Sequence, residues 1–95
     1  ESNPMFKYQI SNILIGQGRF DEALKILNNL DETMPKEAPI HIGIGQCYKG
    51  KKDYKKALEH FNIAIEIDPK DSNLAKSLIE RLYIEENNDG SGGQG

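Results

Sequence analysis

The stretch 45–52, GQCYKGKK, comes nearest to a chemical motif in this sequence. Gly45, four intervening residues, Gly50 and Lys51 have the spacing of a phosphate-binding loop, whose backbone N–H groups cradle phosphates while a lysine meets their charge. Such a loop needs a Ser or Thr hydroxyl after the lysine to hold magnesium, and Lys52 stands there instead. It also needs a buried strand before it and a helix after it. The preceding APIHIGI holds a proline and too few β-branched residues for a parallel core strand.

Few other side chains are equipped for chemistry. His41 and His60 are the two histidines and Cys47 is the one cysteine. No grouping of His, Cys and carboxylate has metal-ligand spacing. Glu85 and Glu86 are paired acids, but they fall near the frayed end of a helix and not in a cleft, so general acid–base work is not expected of them. Lys49, Lys51, Lys52, Lys55 and Lys56 crowd one stretch. They could meet an acidic partner, but a solvated turn and first helical turn is the better reading. Lys55 and Lys56 oppose the helix dipole there, and Asp53 offsets them only in part. No catalytic, metal-binding or cofactor-binding residue is assigned, and no enzymatic activity is expected.

Bulk properties narrow the classes further. Ninety-five residues make one domain, or a piece of a longer protein; the first residue is Glu1 and not Met, which favours a piece. A net charge of −3 argues against a nucleic-acid partner. No apolar run approaches the roughly 20 residues of a membrane span, and no signal peptide is visible. One cysteine excludes an internal disulfide framework and fits a reducing compartment. The terminal NNDGSGGQG has no apolar residue, so 87–95 is expected to be a disordered tail.

The organising feature is a period of 34 residues. Pro35 and Pro69, Ala23 and Ala57, Leu24 and Leu58, Gly16 and Gly50, Ile10 and Ile44, Asn28 and Asn62, Glu32 and Glu66, and Lys36 and Lys70 all pair at that offset. Phe20 falls on Tyr54 and Leu27 on Phe61. This period and these residue types resemble the tetratricopeptide repeat, a helix–turn–helix unit. The fold is therefore expected to be all-α: repeats at 4–37 and 38–71, a capping helix at 72–86 and the tail, forming a right-handed superhelical fragment. Helices are expected near 4–16, 20–33, 38–50, 54–67 and 72–86. Asn3 before Pro4, Ala38 before Pro39, Asp53 before Tyr54, and Asp71 or Ser72 mark their starts. In the last helix, Leu74, Leu78, Leu82 and Tyr83 are expected to share the buried side.

This register answers the phosphate-loop question. Gly45 becomes a close-packing site inside the third helix, Gly50 ends that helix as Gly16 ends the first, and Lys51 and Lys52 form the turn. The GIG at 43–45 is explained in the same way. His41 and His60 are expected at partly exposed positions on different helices, as surface histidines and not a catalytic pair. Cys47, between Ile44 and Tyr48, is expected to be a buried, inert thiol.

Function then rests on surface recognition. In stacked repeats the first helix of each unit lines a concave face. The residues left there after core assignment are Tyr8, Asn12 and Ile15 in the first unit and Ile42, Gln46 and Lys49 in the second. Tyr8, Ile15 and Ile42 have no core role in the repeat pattern, so a groove for a peptide or a neighbouring subunit is expected.

The wording of the chain resembles one family more closely. NPMFKYQ, MPKEAPIHIGIGQCYK, ALEHFNIAIEIDPKDSN and IERLY, followed by an acidic tail, are similar to the carboxyl-terminal end of the tetratricopeptide scaffold subunit of the anaphase-promoting complex. The similarity covers residues 3 to about 88. It implies a scaffold in a ubiquitin ligase that marks mitotic regulators for destruction, located in the nucleus and cytoplasm, with other protein subunits or a peptide as partners. The family also holds Ile-Arg tails of activators, mainly in repeats upstream of its last ones, so no tail-binding residue is carried over. Family subunits dimerise through amino-terminal repeats that this chain lacks.

The competing reading is a co-chaperone repeat that clamps a peptide carboxyl terminus. Its clamp positions correspond to Tyr8, Asn12, Gly43, Asn73 and Ser77, of which Asn12 alone fits, and a carboxylate needs cations. Met5, Phe6, Tyr8, Ile13 and Ile15 give the first helix more apolar surface than one neighbouring helix covers, so self-association through it is expected. On the repeat reading the chain binds no nucleotide. Isothermal calorimetry with magnesium-ATP should show no heat of binding, and micromolar affinity would refute that reading.

Overall fold

Helix starts in this chain are set by short polar side chains and early prolines. Asn3 lies in extended backbone and its Oδ1 accepts the Met5 N–H at 2.8 Å, while Pro4 opens the helix without needing a donor. Asp53 caps the fourth helix by accepting the Lys56 N–H at 3.3 Å. At the second helix Arg19 offers no side-chain cap, and Asp21 and Glu22 in the first turn complement the dipole instead. The third helix begins at Ala38, so Ala38 is its first residue and not its cap; Glu37 precedes it and Pro39 sits in the first turn.

The computed structural model describes residues 3–88. Helices α1 (Pro4–Gly16), α2 (Phe20–Thr33), α3 (Ala38–Gly50), α4 (Tyr54–Ile67) and α5 (Asn73–Asn88) follow one another, with a 3₁₀ turn at Pro69–Asp71. No strand occurs among the described residues. Each helix packs on the next, and α1 also touches α3. The expected tail falls largely on 89–95, outside the described residues, while 87 and 88 belong to α5.

Two apolar clusters share α3. The first holds Ala23, Leu24, Leu27 and Leu30 of α2 with Ile40, Ile44 and Cys47 of α3. The second holds Tyr54, Ala57 and Phe61 of α4 with Leu78 and Leu82 of α5, and Ile42 and Tyr48 of α3 pack against it. Helix α3 lies close against both neighbours. A methyl group on Gly43 would lie 3.1 Å from Leu27 Cδ1, and one on Gly45 would lie 2.5 Å from Phe61 Cε1. Ser11 occupies the Gly45 position of the first unit; it is fully buried and its hydroxyl donates to the Tyr8 carbonyl at 2.6 Å.

Helix α5 departs from expectation. Leu78 and Leu82 are buried together with Ala75, but Leu74 and Tyr83 are 58% and 52% exposed. A stripe at 75, 78 and 82 follows the helical period, and positions 74 and 83 lie about 70° and about 110° from its centre, on opposite sides. Ser72, proposed as a cap, is buried and turns its hydroxyl to the Pro69 carbonyl at 2.8 Å.

The turns between paired helices also differ in detail. Among the described residues, φ is positive at Gly18 (78°) and Lys52 (66°), which stand 34 apart. The left-handed step thus falls two residues beyond Gly16 and Gly50. Gly50 is small for another reason: a methyl group there would run into the Phe20 ring. A side chain in the left-handed region costs about 1–2 kcal/mol, less glycine's own entropy.

Three substitutions test this packing by thermal or urea unfolding. Phe61→Ala should cost about 3–5 kcal/mol through the cavity it leaves. Ala57→Leu should cost about 1–3 kcal/mol by overpacking. Lys52→Gly should stabilise by about 0.5–1 kcal/mol. Unfolding of Phe61→Ala or Ala57→Leu at the parent's midpoint would show the register to be wrong.

Candidate functional site

The six residues expected on the recognition face are carried by α1 and α3. Asn12 is exposed; Tyr8, Ile15, Ile42, Gln46 and Lys49 are half-buried. Tyr8 and Ile15 pack against the first cluster and Ile42 against the second, so these three do have a core role, contrary to the repeat pattern. The pattern is that of one unit, whereas these side chains fill space between units. Lys49 Nζ approaches Glu85 Oε2 at 4.0 Å, which links α3 to α5 along this face.

The titratable groups lie elsewhere. His41 is buried, not partly exposed, because Gly43 and Gly45 draw α3 close to its neighbours. Its Nδ1 lies 3.1 Å from Nδ1 of His60, and its Nε2 lies 3.1 Å from Asp31 Oδ1. That carboxylate oxygen is buried and has no aligned hydrogen bond, so its contact with His41 is electrostatic. Burial, and then the nearby His41, hold His60 below the ordinary imidazole range. Tyr48 lies beside His60 with ring centroids 5.9 Å apart, and Lys56 Nζ stands 5.3 Å from the Tyr48 ring centroid. Sequence reading missed this meeting of α2, α3 and α4, because none of its three members has an equivalent in the other unit.

The lysine run is less available than its charge implies. Lys49 faces Glu85, Lys51 is paired with Asp21, and Lys56 covers Tyr48. Hydrogen bonding to Asp21 raises the Lys51 pKa above that of a free lysine. Among the described residues no cluster of His, Cys, Asp and Glu is arranged to hold a metal ion, and no helix is long and apolar enough to cross a membrane.

A recess with a largely apolar lining lies at the start of α1. It is a pocket of about 350 Å³ walled by Met5, Tyr8, Leu30, Met34, Pro39 and Ile40. Of the six expected residues, only Tyr8 reaches it. It forms where the ends of α2 and α3 leave α1, a junction that the repeat spacing does not describe.

Comparison with known proteins fixes the context of this geometry. A family profile described as tetratricopeptide repeat matches residues 14–82. The chain belongs to the tetratricopeptide repeat family. Among individual proteins, it is 37% identical over 87 residues to anaphase-promoting complex subunit 3 of Dictyostelium discoideum, covering 92% of this chain and 9% of that protein. It is 37% identical over 84 residues to cell division cycle protein 27 homolog A of Arabidopsis thaliana, covering 86% of this chain and 12% of that one. It is 33% identical over 88 residues to anaphase-promoting complex subunit 3 of Schizosaccharomyces pombe, covering 93% and 13%. The chain thus spans about a tenth of the length of these relatives. No solved structure matches it.

Within this repeat family, the co-chaperone reading loses further ground. Gly43, at a clamp position, is buried beneath Leu27, and Tyr8 is half-buried against the first cluster. Neither offers a cation to a carboxylate.

Cys47 is fully buried, and burial pushes its thiol up to about 11. The thiolate is the reactive form. In the folded protein at about pH 8, Cys47 should therefore resist a thiol-specific reagent and become reactive on denaturation. Rapid modification of the folded chain would show that α3 is not packed as described.

Proposed function

We propose that this chain is a non-catalytic assembly module of an anaphase-promoting complex subunit, acting in cell-cycle progression in the nucleus and cytoplasm. The observation that carries this reading is a likeness at 33–37% identity extending over 86–93% of the chain to proteins of that name and their cell-division homologue. The helical packing supports it, because the described side chains build helix-to-helix contact. The partners are other protein subunits of the complex, met through the face of Tyr8, Asn12, Ile15, Ile42, Gln46 and Lys49 and through α1.

Helix α1 is the better-supported of these two surfaces. Met5, Phe6 and Ile13 are 61%, 59% and 59% exposed. Phe6, Ile10 and Ile13 stand 34 residues before Ile40, Ile44 and Cys47, which α3 buries against α2. In the isolated chain this face would be covered by a second copy.

The tagged chain should retain at least one purified subunit of the complex in a pull-down. Failure to retain any, with the chain folded by circular dichroism, would overturn the assembly reading. Sedimentation should show self-association that weakens in Phe6→Ser. A strict monomer at high concentration, with hydrogen exchange no faster in residues 4–16 than in 54–66, would remove the role given to α1.

A further inference from the structure

His41 of α3 and His60 of α4 meet through the same ring nitrogen. The Nδ1 atoms are 3.1 Å apart, the ring planes differ by 15° and the centroids are 5.4 Å apart. Centroids so much farther apart than the nitrogens mean that the rings meet edge to edge, with the two nitrogens aimed at each other. Such a contact holds one proton, because one nitrogen must donate and the other accept.

The proton arithmetic of the pair follows. When both rings are neutral, one Nδ1–H donates to the other Nδ1. One added proton leaves this bond intact, because an imidazolium donates to a neutral imidazole. A second added proton puts N–H on both facing atoms, and the bond is lost.

The surroundings act on the pair from every helix that borders it. From α2, the Asp31 carboxylate lies 3.1 Å from His41 Nε2, on the side of the ring away from His60. From α3, Tyr48 lies beside His60. From α4, Glu59 favours charge on His60, whereas Lys56 opposes it. Burial opposes a charge on His60 most, and His41 next. The first unit has Lys7, Ile26 and no such pair at the positions of His41 and His60, so the arrangement belongs to the second unit alone.

We propose that Asp31, His41 and His60 form a proton-limited clasp across α2, α3 and α4, which accepts one added proton and opens on the second. Its opening loosens α3 against α4, and with them the face that carries Ile42, Gln46 and Lys49. Acid therefore weakens the second unit at a pH where carboxylates elsewhere are still ionised.

The direction with pH is fixed by linkage. In the unfolded chain both imidazoles take protons near pH ~6.5, whereas the folded clasp takes its second proton only at lower pH. Well above that value neither state holds the added protons, and pH has no effect through this pair. As pH falls through about 6.5, the unfolded chain binds more protons and stability is lost, until the folded pair is doubly protonated as well.

The test is an NMR titration of both imidazoles in the folded 95-residue chain, with unfolding measured at about pH 7.5 and about pH 5.5. The native chain and the His60→Gln and His41→Gln variants are compared. The clasp predicts coupled titration of the two rings, with the second step below about 6.5. It also predicts that the native folding constant falls on acidification by up to about tenfold for each pH unit separating that step from 6.5. Both glutamine variants should reduce this acid loss. Independent titration of both rings near about 6.5 would overturn the proposal, as would an acid loss unchanged in both variants. If the variants do not fold, the titration of the native chain decides alone.

Discussion

A helix-to-helix approach too close for a single added methyl group governs this molecule. That approach is at Gly45, where α3 meets α4 and an added methyl group would lie 2.5 Å from Phe61; at Gly43, where α3 meets α2, the fit is tight but looser, at 3.1 Å from Leu27. Leu27 and Phe61 are fully buried as a result, and Ala23 and Ala57 beside them are small enough to let the helices close. The same closeness explains the polar meeting at the edge of the core. His41 precedes Gly43 by half a turn, and only a helix seated this deeply brings its ring to Asp31 on one neighbour and to His60 on the other. The core and the clasp are therefore two outcomes of one constraint, and enlarging Gly45 should disturb both.

Much of this was legible in the chain, for a definite reason. A repeat places equivalent residues in equivalent surroundings, so an offset that aligns Ala23 with Ala57 and Ile10 with Ile44 reads out packing twice. The all-helical fold and the shared burial of Ala23 with Ala57 and of Leu27 with Phe61 come from that redundancy. What the period misses is contact between residues that have no counterpart. His41, His60 and Asp31 align with Lys7, Ile26 and Ile65, so no comparison of the two units brings them together. Helix α5 shows the same limit. No third unit follows it to fix its register, and the side it buries is centred on Ala75, Leu78 and Leu82, not on the larger apolar residues alone. The left-handed turn could have been read, since Gly18 and Lys52 align.

The charge pattern illustrates a second limit of reading along the chain. Five lysines between 49 and 56 form a basic patch in sequence, and an acidic ligand is the natural inference from a patch. In space, carboxylates from distant segments reach two of them: Asp21, at the start of α2, meets Lys51 in the α3–α4 turn, and Glu85 of α5 approaches Lys49. These exposed or half-exposed pairs add little stability. Their effect is to reduce the field available to an external anion, which weakens any reading of the turn as a docking site for acidic peptides.

The large apolar side chains still open to solvent lie on the first and last helices of the stack. Tyr8, Ile15 and Ile42 lie on the expected face but spend part of their surface on packing, which lowers what they offer a ligand. At one end, Met5, Phe6 and Ile13 on α1 keep most of their surface open; at the other, Leu74, Tyr83 and Ile84 on α5 do the same. The two ends are not equivalent. Phe6 and Ile13 stand in the register of residues that α3 buries against a preceding helix, so α1 presents a face already shaped for helical packing. Leu74 and Tyr83 flank a stripe that is already occupied by α4, and Ile84 stands apart on the far side of the helix. A partner at α1 therefore meets a surface of the kind this fold uses for its own helices, whereas a partner at α5 meets only the margins of one.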